Sequence, residues 1–147
     1  MKVVGGGGAV GDDETFRGVV YPWFCDFMGH MNTQFYCQLF DGATLHFLAE
    51  IAKRSDLQQA ECGWVDLRQV IEYKHEIRSG ELLVIRTQMT KVGNSSLGFL
   101  HELRDTDSET LRATSEHVVA LFSLTQRKST PLGPEARQRA TALLNGN

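Results

Sequence analysis

The stretch Cys25-Asp26-Phe27-Met28-Gly29-His30-Met31-Asn32 sets a thiol, a carboxylate, an imidazole and an amide around one glycine, directly ahead of the longest apolar run in the chain. Three readings are open to it. Asp26 could serve a catalytic loop as a nucleophile or a general base. Cys25, Asp26 and His30 could share a metal ion, but no second ligand pair stands at metal-binding spacing. Or these residues punctuate the passage from a strand to a helix, with Asp26 as a turn or capping carboxylate. Gly29 lets the chain turn sharply and approach a ligand. Asn32 is a helix-capping type, and a helix begun at Thr33 would offer unpaired N–H groups and the positive end of its dipole.

The surrounding elements must position these groups. TFRGVVYPWF, residues 15–24, reads as a strand, with Pro22 near its end or at an edge. Residues 33 to about 52 read as a helix, with Tyr36, Leu39, Phe40, Ala43, Phe47 and Ile51 on one stripe. Phe35, Leu45 and Leu48 widen that stripe and predict an embedded helix. Residues 65–77 alternate at strand period. Turns at Ser79-Gly80-Glu81, Gly93-Asn94 and 105–108 lead into three more strand candidates, and Pro131 and Pro134 open a short C-terminal helix. Four hairpin-linked strands after one helix predict an antiparallel sheet with the helix on one face.

Composition narrows the function classes. The 147 residues suit one domain, with 41% hydrophobic and 22% charged residues. A net charge of −3 and no basic cluster beyond Arg127-Lys128 argue against nucleic acid. No apolar run reaches the roughly 18 residues a membrane span needs, and a cytoplasmic location is expected. The three cysteines read as small buried hydrophobes. Gly6, Gly8 and Gly11 satisfy G-x-G-x-x-G, yet no helical period follows them, so residues 1–14 read as a flexible leader and 15–147 as a single domain. Trp23, Phe24, Phe27, Tyr36 and Trp64 read as core aromatics. His46, His75, His101 and His117 read as ordinary hydrogen-bonded residues.

The stretch VYPWFCDFMGHMNTQFYCQLFDGA resembles the signature of the 4-hydroxybenzoyl-CoA thioesterase group of acyl-CoA thioesterases. That signature is an aspartate, two variable residues, Gly-His-Val/Met-Asn-Asn, a tyrosine and Phe-Asp/Glu-x-Ala. Asp26, Gly29-His30-Met31-Asn32, Tyr36 and Phe40-Asp41-Gly42-Ala43 match it; Thr33 departs from it. The similarity extends over roughly residues 16–137, including YKHEIRSGELLVIRTQM and RKSTPLGPE.

The resemblance implies an α+β hotdog fold, an antiparallel sheet of about five strands wrapped around one long central helix. It implies hydrolysis of a small or medium acyl-CoA, with Asp26 as nucleophile or general base and the Thr33 backbone N–H as oxyanion donor. Gly29 and His30 would shape or line the catalytic loop, Met31, Asn32, Tyr36 and Asp41 would contact substrate, and Arg127 and Lys128 would meet the phosphates of CoA. No cofactor beyond the CoA of the substrate is implied. Hotdog relatives imply a homodimer or homotetramer with sites at the subunit interface. A hotdog hydratase or dehydratase, or a non-catalytic CoA-binding module, are the alternatives. A Met-containing DxxGHMN form points to carnitine or betaine metabolism, where Trp23 or Trp64 could face a quaternary ammonium.

Overall fold

A computed structural model describes residues 13–146. The glycine run therefore lies outside the described residues, while Asp13 and Glu14, expected in the leader, belong to the first strand. The strands are β1 (Asp13–Val19), β2 (Cys62–Tyr73), β3 (Leu82–Val92), β4 (Ser96–Asp105), β5 (Leu111–Ser123) and the two-residue β6 (Lys128–Ser129). The α-helices are α1 (Thr33–Ile51), α2 (Arg54–Gln59) and α3 (Pro134–Leu144). All pairings are antiparallel, in the order β1-β3-β4-β5-β2, with β6 on β5. The sheet curls around α1, which is the expected hotdog architecture.

Four expectations need correcting. The first strand stops at Val19, because Pro22 opens a 3-10 turn over Pro22–Phe24. β2 and β3 are not hairpin partners: β2 closes the far edge against β5, and residues 74–81 carry the chain back across the sheet. The strand read over 65–77 runs Cys62–Tyr73, and a bulge between Asp66 and Arg68 breaks its alternation, leaving Leu67 60% exposed. Bulging is a common way to blunt an edge strand. Lastly, α1 is embedded on one side only; Tyr36, Leu39, Phe40, Ala43, Phe47 and Ile51 face the sheet, while Leu45 is 63% exposed. One chain supplies one sheet, which covers a single helical face.

The core falls into two apolar clusters under α1. Phe40, Leu83, Ile85 and Leu103 anchor one; Phe47, Leu97, Phe99 and Val119 anchor the other, which α3 closes with Ala140. A layer of buried polar residues divides them: Thr15, Thr44, Thr87, His101 and His117. His101 is fully buried and holds Thr87 Oγ1 at 2.6 Å and Thr44 Oγ1 at 2.8 Å. Burial, and then the neighbouring His117, push its pKa from an ordinary 6.5 down to about 3. An unfolded imidazole takes up a proton below 6.5, whereas folded His101 does not until about 3. Its contribution is thus intact above 6.5 and lost on acidification through that window, by up to about 1.4 kcal/mol per pH unit. Thr87→Val keeps the shape but strands His101 Nδ1 in a dry core. Urea unfolding at neutral pH should show a loss of about 1–3 kcal/mol; an unchanged midpoint would contradict this reading of the layer.

Candidate active site

The segment 21–33 is built by backbone bonds that leave its polar side chains displayed. Asn32 N–H donates to Phe24 C=O (2.8 Å) and Met31 N–H to Ile77 C=O (2.7 Å), so the loop is stitched to both the 3-10 turn and the 74–81 connection. Cys25 and Met31 form an isolated bridge. Between them the chain reverses: Gly29 N–H donates to Asp26 C=O (2.9 Å) and Asp26 N–H to His30 C=O (3.0 Å). Gly29 sits at φ +80, the left-handed region that glycine enters without strain.

The Asp26 carboxylate is held at both oxygens. Oδ1 accepts from Met28 N–H (3.0 Å) and Oδ2 from the Asn32 side-chain amide (3.2 Å). The same Asn32 amide caps α1, its Oδ1 accepting from Gln34 N–H (3.2 Å). One side chain therefore joins the carboxylate to the mouth of the helix. Thr33 is the first residue of α1, and its N–H donates to no described residue.

A groove of about 250 Å3 opens beside this point, lined by His30, Met31, Thr33, Tyr36, Tyr73 and Glu76, among others. Tyr36 lies edge-on to Tyr73, with ring centroids 4.9 Å apart. Burial, then Tyr73, push the Tyr36 phenol up to about 12, so its hydroxyl stays a proton donor at neutral pH. His30 Nε2 lies 2.9 Å from Glu76 Oε2. Arg112 holds the strip carrying Glu76, donating to Glu76 C=O (2.7 Å) and to Glu81 Oε1 (3.1 Å).

The fold thus brings together Asp26, Gly29, His30, Met31, Asn32, Thr33 and Tyr36. It does not bring Asp41, Arg127 or Lys128 to them within one chain. Asp41 is exposed on α1 and lines no part of the groove. Arg127 places its guanidinium 5.1 Å over the Phe122 ring, and Lys128 lies in β6. The ten steps of β5 from Ala113, which pairs with Tyr73, to Ser123, which pairs with Lys128, span roughly 33 Å. Of the supposed core aromatics, Trp23 is 68% and Phe27 97% exposed, since the 3-10 turn and loop tip project outward. Glu76 and Tyr73 were not legible as site residues; only the return of the 74–81 strip places them there. A second, more apolar cleft of about 430 Å3, bounded by Ile51, Cys62, Trp64 and Leu121, lies at the other end of the sheet, away from every group with the chemistry described.

The pattern of the thioesterase-like superfamily matches residues 20–140, spanning the loop, α1, every strand after β1 and the first part of α3. The chain belongs to that superfamily. It is therefore a thioester hydrolase of hotdog fold, in the acyl-CoA thioesterase family that the Asp26–Asn32 signature resembles. Betainyl-CoA thioesterase from Pseudomonas aeruginosa is 28% identical over 130 residues, covering 88% of this chain and 82% of that protein. Among solved structures, a Staphylococcus aureus protein in complex with CoA superposes with a TM-score of 0.86 at 15% identity, covering 96% of this chain and 90% of that one. A putative thioesterase from Pseudomonas putida gives 0.79 at 24% identity, covering 91% and 86%. These two likenesses bear on fold alone. Among the described residues no helix is long and apolar enough to cross a membrane, and no three metal-binding side chains cluster.

Proposed function

We propose that this thioesterase cleaves a small acyl-CoA at the mouth of α1. The Asp26 carboxylate either attacks the acyl carbon, expelling the CoA thiolate and leaving an anhydride that water hydrolyses, or takes a proton from the water that attacks directly and expels the thiolate. The Thr33 N–H donates to the oxyanion that develops on the thioester oxygen. The observation that carries this reading is the Asn32 amide, which ties the carboxylate and the helix N-terminus to one side chain. Nucleophile and oxyanion donor then move as a unit, as a reaction centred on one carbonyl requires.

The acyl group we propose is short and bears a quaternary ammonium. The Pseudomonas aeruginosa relative carries the name betainyl-CoA thioesterase, and this chain sets two aromatic pairs around the loop. Tyr36 and Tyr73 meet edge-on beside the groove, and Tyr21 stacks on the exposed Trp23 at 4.6 Å. A cation over such faces gains about 0.5–2 kcal/mol. Betainyl-CoA and tert-butylacetyl-CoA differ only by nitrogen for carbon, so comparing them, each relative to its own uncatalysed hydrolysis, isolates recognition of the charge. The rate of thiol release, so normalised, should give kcat/KM about 3- to 30-fold higher for the cation. Equal values, or faster hydrolysis of the neutral isostere, would dispose of the ammonium assignment.

The active unit is at least a homodimer. Among the described residues β2 leaves one long edge unpaired and α1 one face uncovered. Antiparallel pairing of β2 with β2 of a second copy sets the Cys62 end of one against the Tyr73 end of the other. Arg127 and Lys128 of the second copy would then approach the groove, where CoA phosphates could pair with them.

A further inference from the structure

The buried polar layer follows the order of the sheet strand by strand. β1 supplies Thr15, β3 Thr87, β4 His101 and β5 His117, Thr44 of α1 fills the gap between the two imidazoles, and the exposed Asp66 of β2 ends the row. The links are Thr15 Oγ1 to Thr87 Oγ1 (2.7 Å), Thr87 Oγ1 to His101 Nδ1 (2.6 Å) and His101 Nε2 to Thr44 Oγ1 (2.8 Å). They continue from Thr44 Oγ1 to His117 Nδ1 (3.4 Å) and from His117 Nε2 to Asp66 Oδ1 (2.9 Å). The string runs from one edge strand to the other through the centre of the molecule. The Asp66 side chain alone is open to water, being 69% exposed.

Its direction is fixed from the Asp66 end. A carboxylate only accepts, so His117 must present Nε2–H to it. Neutral His117 then accepts at Nδ1 from the Thr44 hydroxyl, and Thr44 Oγ1 accepts from His101 Nε2–H. His101 Nδ1 takes the Thr87 hydroxyl proton, and Thr87 Oγ1 that of Thr15. Every hydrogen points toward Asp66. If His117 carries a second proton, its Nδ1–H can only donate to Thr44 Oγ1, and every remaining link except the one to Asp66 can then be made in reverse. Nδ1–H donates to Thr44, Thr44 to His101 Nε2, His101 Nδ1–H to Thr87, Thr87 to Thr15, and Thr15 to Ile85 C=O, 3.4 Å away. Both directions end on an acceptor, and the two states differ by one proton taken from solvent.

We propose that this string is a one-proton switch: protonation of His117 reverses three threonine hydroxyls and exchanges the tautomer of His101, joining both sheet edges and the middle of α1 in one two-state element. Around His117 stand Asp66 on β2, His101 on β4 and the uncharged Thr44 on α1. Arg68 and Glu116 are both exposed and lie 3.7 Å from each other. Burial keeps His101 neutral in either state, so it relays orientation without holding the charge. The switch is independent of the catalytic reading, although it grips the helix that begins at Thr33 and the strand that ends at Tyr73.

Long-range proton–nitrogen NMR of the full chain labelled with 15N-histidine, from pH 8 to pH 4, reads both rings. The expected result is one shared midpoint, at which His117 gains its second N–H while His101 moves its single N–H from Nε2 to Nδ1. Asp66→Asn keeps an acceptor for Nε2–H but removes the charge, and should lower that midpoint. Thr15→Val removes the acceptor for the reversed Thr87 hydroxyl and should lower it too. A His101 tautomer that never changes, a His101 that titrates by itself, a midpoint indifferent to both substitutions, or unfolding before His117 is protonated would each overturn the switch.

Discussion

Replacing Thr33 by proline should lower kcat for thioester hydrolysis roughly 100- to 1,000-fold, the usual cost of deleting one oxyanion donor, while leaving α1 in place. Proline suits this position on every count but one. It favours the first helical residue, where its fixed φ matches the helix and its missing N–H costs no intrahelical bond. The residue before it must be extended, and Asn32 already sits at φ −70, ψ 147. The Thr33 side chain is exposed, so little packing is lost. What disappears is the N–H that the proposed mechanism assigns to the thioester oxygen. Thr33→Ala, which keeps that N–H, should retain the native rate. Circular dichroism and thermal melting of the proline variant should stay close to native. A proline variant with native kcat would remove the helix end from the mechanism.

On the proposed mechanism, in which the carboxylate acts on the reacting carbon and does not hold CoA, Asp26→Asn should cost roughly 100- to 10,000-fold in kcat with little change in KM. The variant keeps an oxygen to accept the Met28 N–H. Its amide nitrogen, however, opposes the Asn32 amide, two donors where a donor and an acceptor met. That mismatch should cost about 1 kcal/mol of stability and no more, since the loop's backbone bonds to Phe24 and Ile77 survive. A rate loss of this size with so small a stability loss separates chemistry from folding.

Much of this site was legible in the sequence because its determinants are local. Asn32 before an apolar stripe at helical spacing announces the start of α1, and the Asp26–Asn32 spacing announces the loop. Long-range pairing was not legible. Nothing near Val65 or Ile71 says that β2 will pair with β5, and the alternation there fails at the Asp66 bulge. Glu76 meets His30 only because the 74–81 strip crosses back under Met31. His101, His117 and Thr44 looked unremarkable one by one; their alignment exists only once five strands are in register. Trp23 and Phe27 erred in the other direction, since apolar composition predicts burial but a turn tip overrides it.

The most direct measurement is free CoA thiol released from betainyl-CoA and a panel of short acyl-CoA esters by the native chain and by Asp26→Asn, at matched folded concentration. The carboxylate-and-helix account predicts turnover by the native protein and a loss of at least about 100-fold in the variant on every ester that is hydrolysed. Equal hydrolysis by both proteins, or CoA binding without thiol release by either, would contradict it.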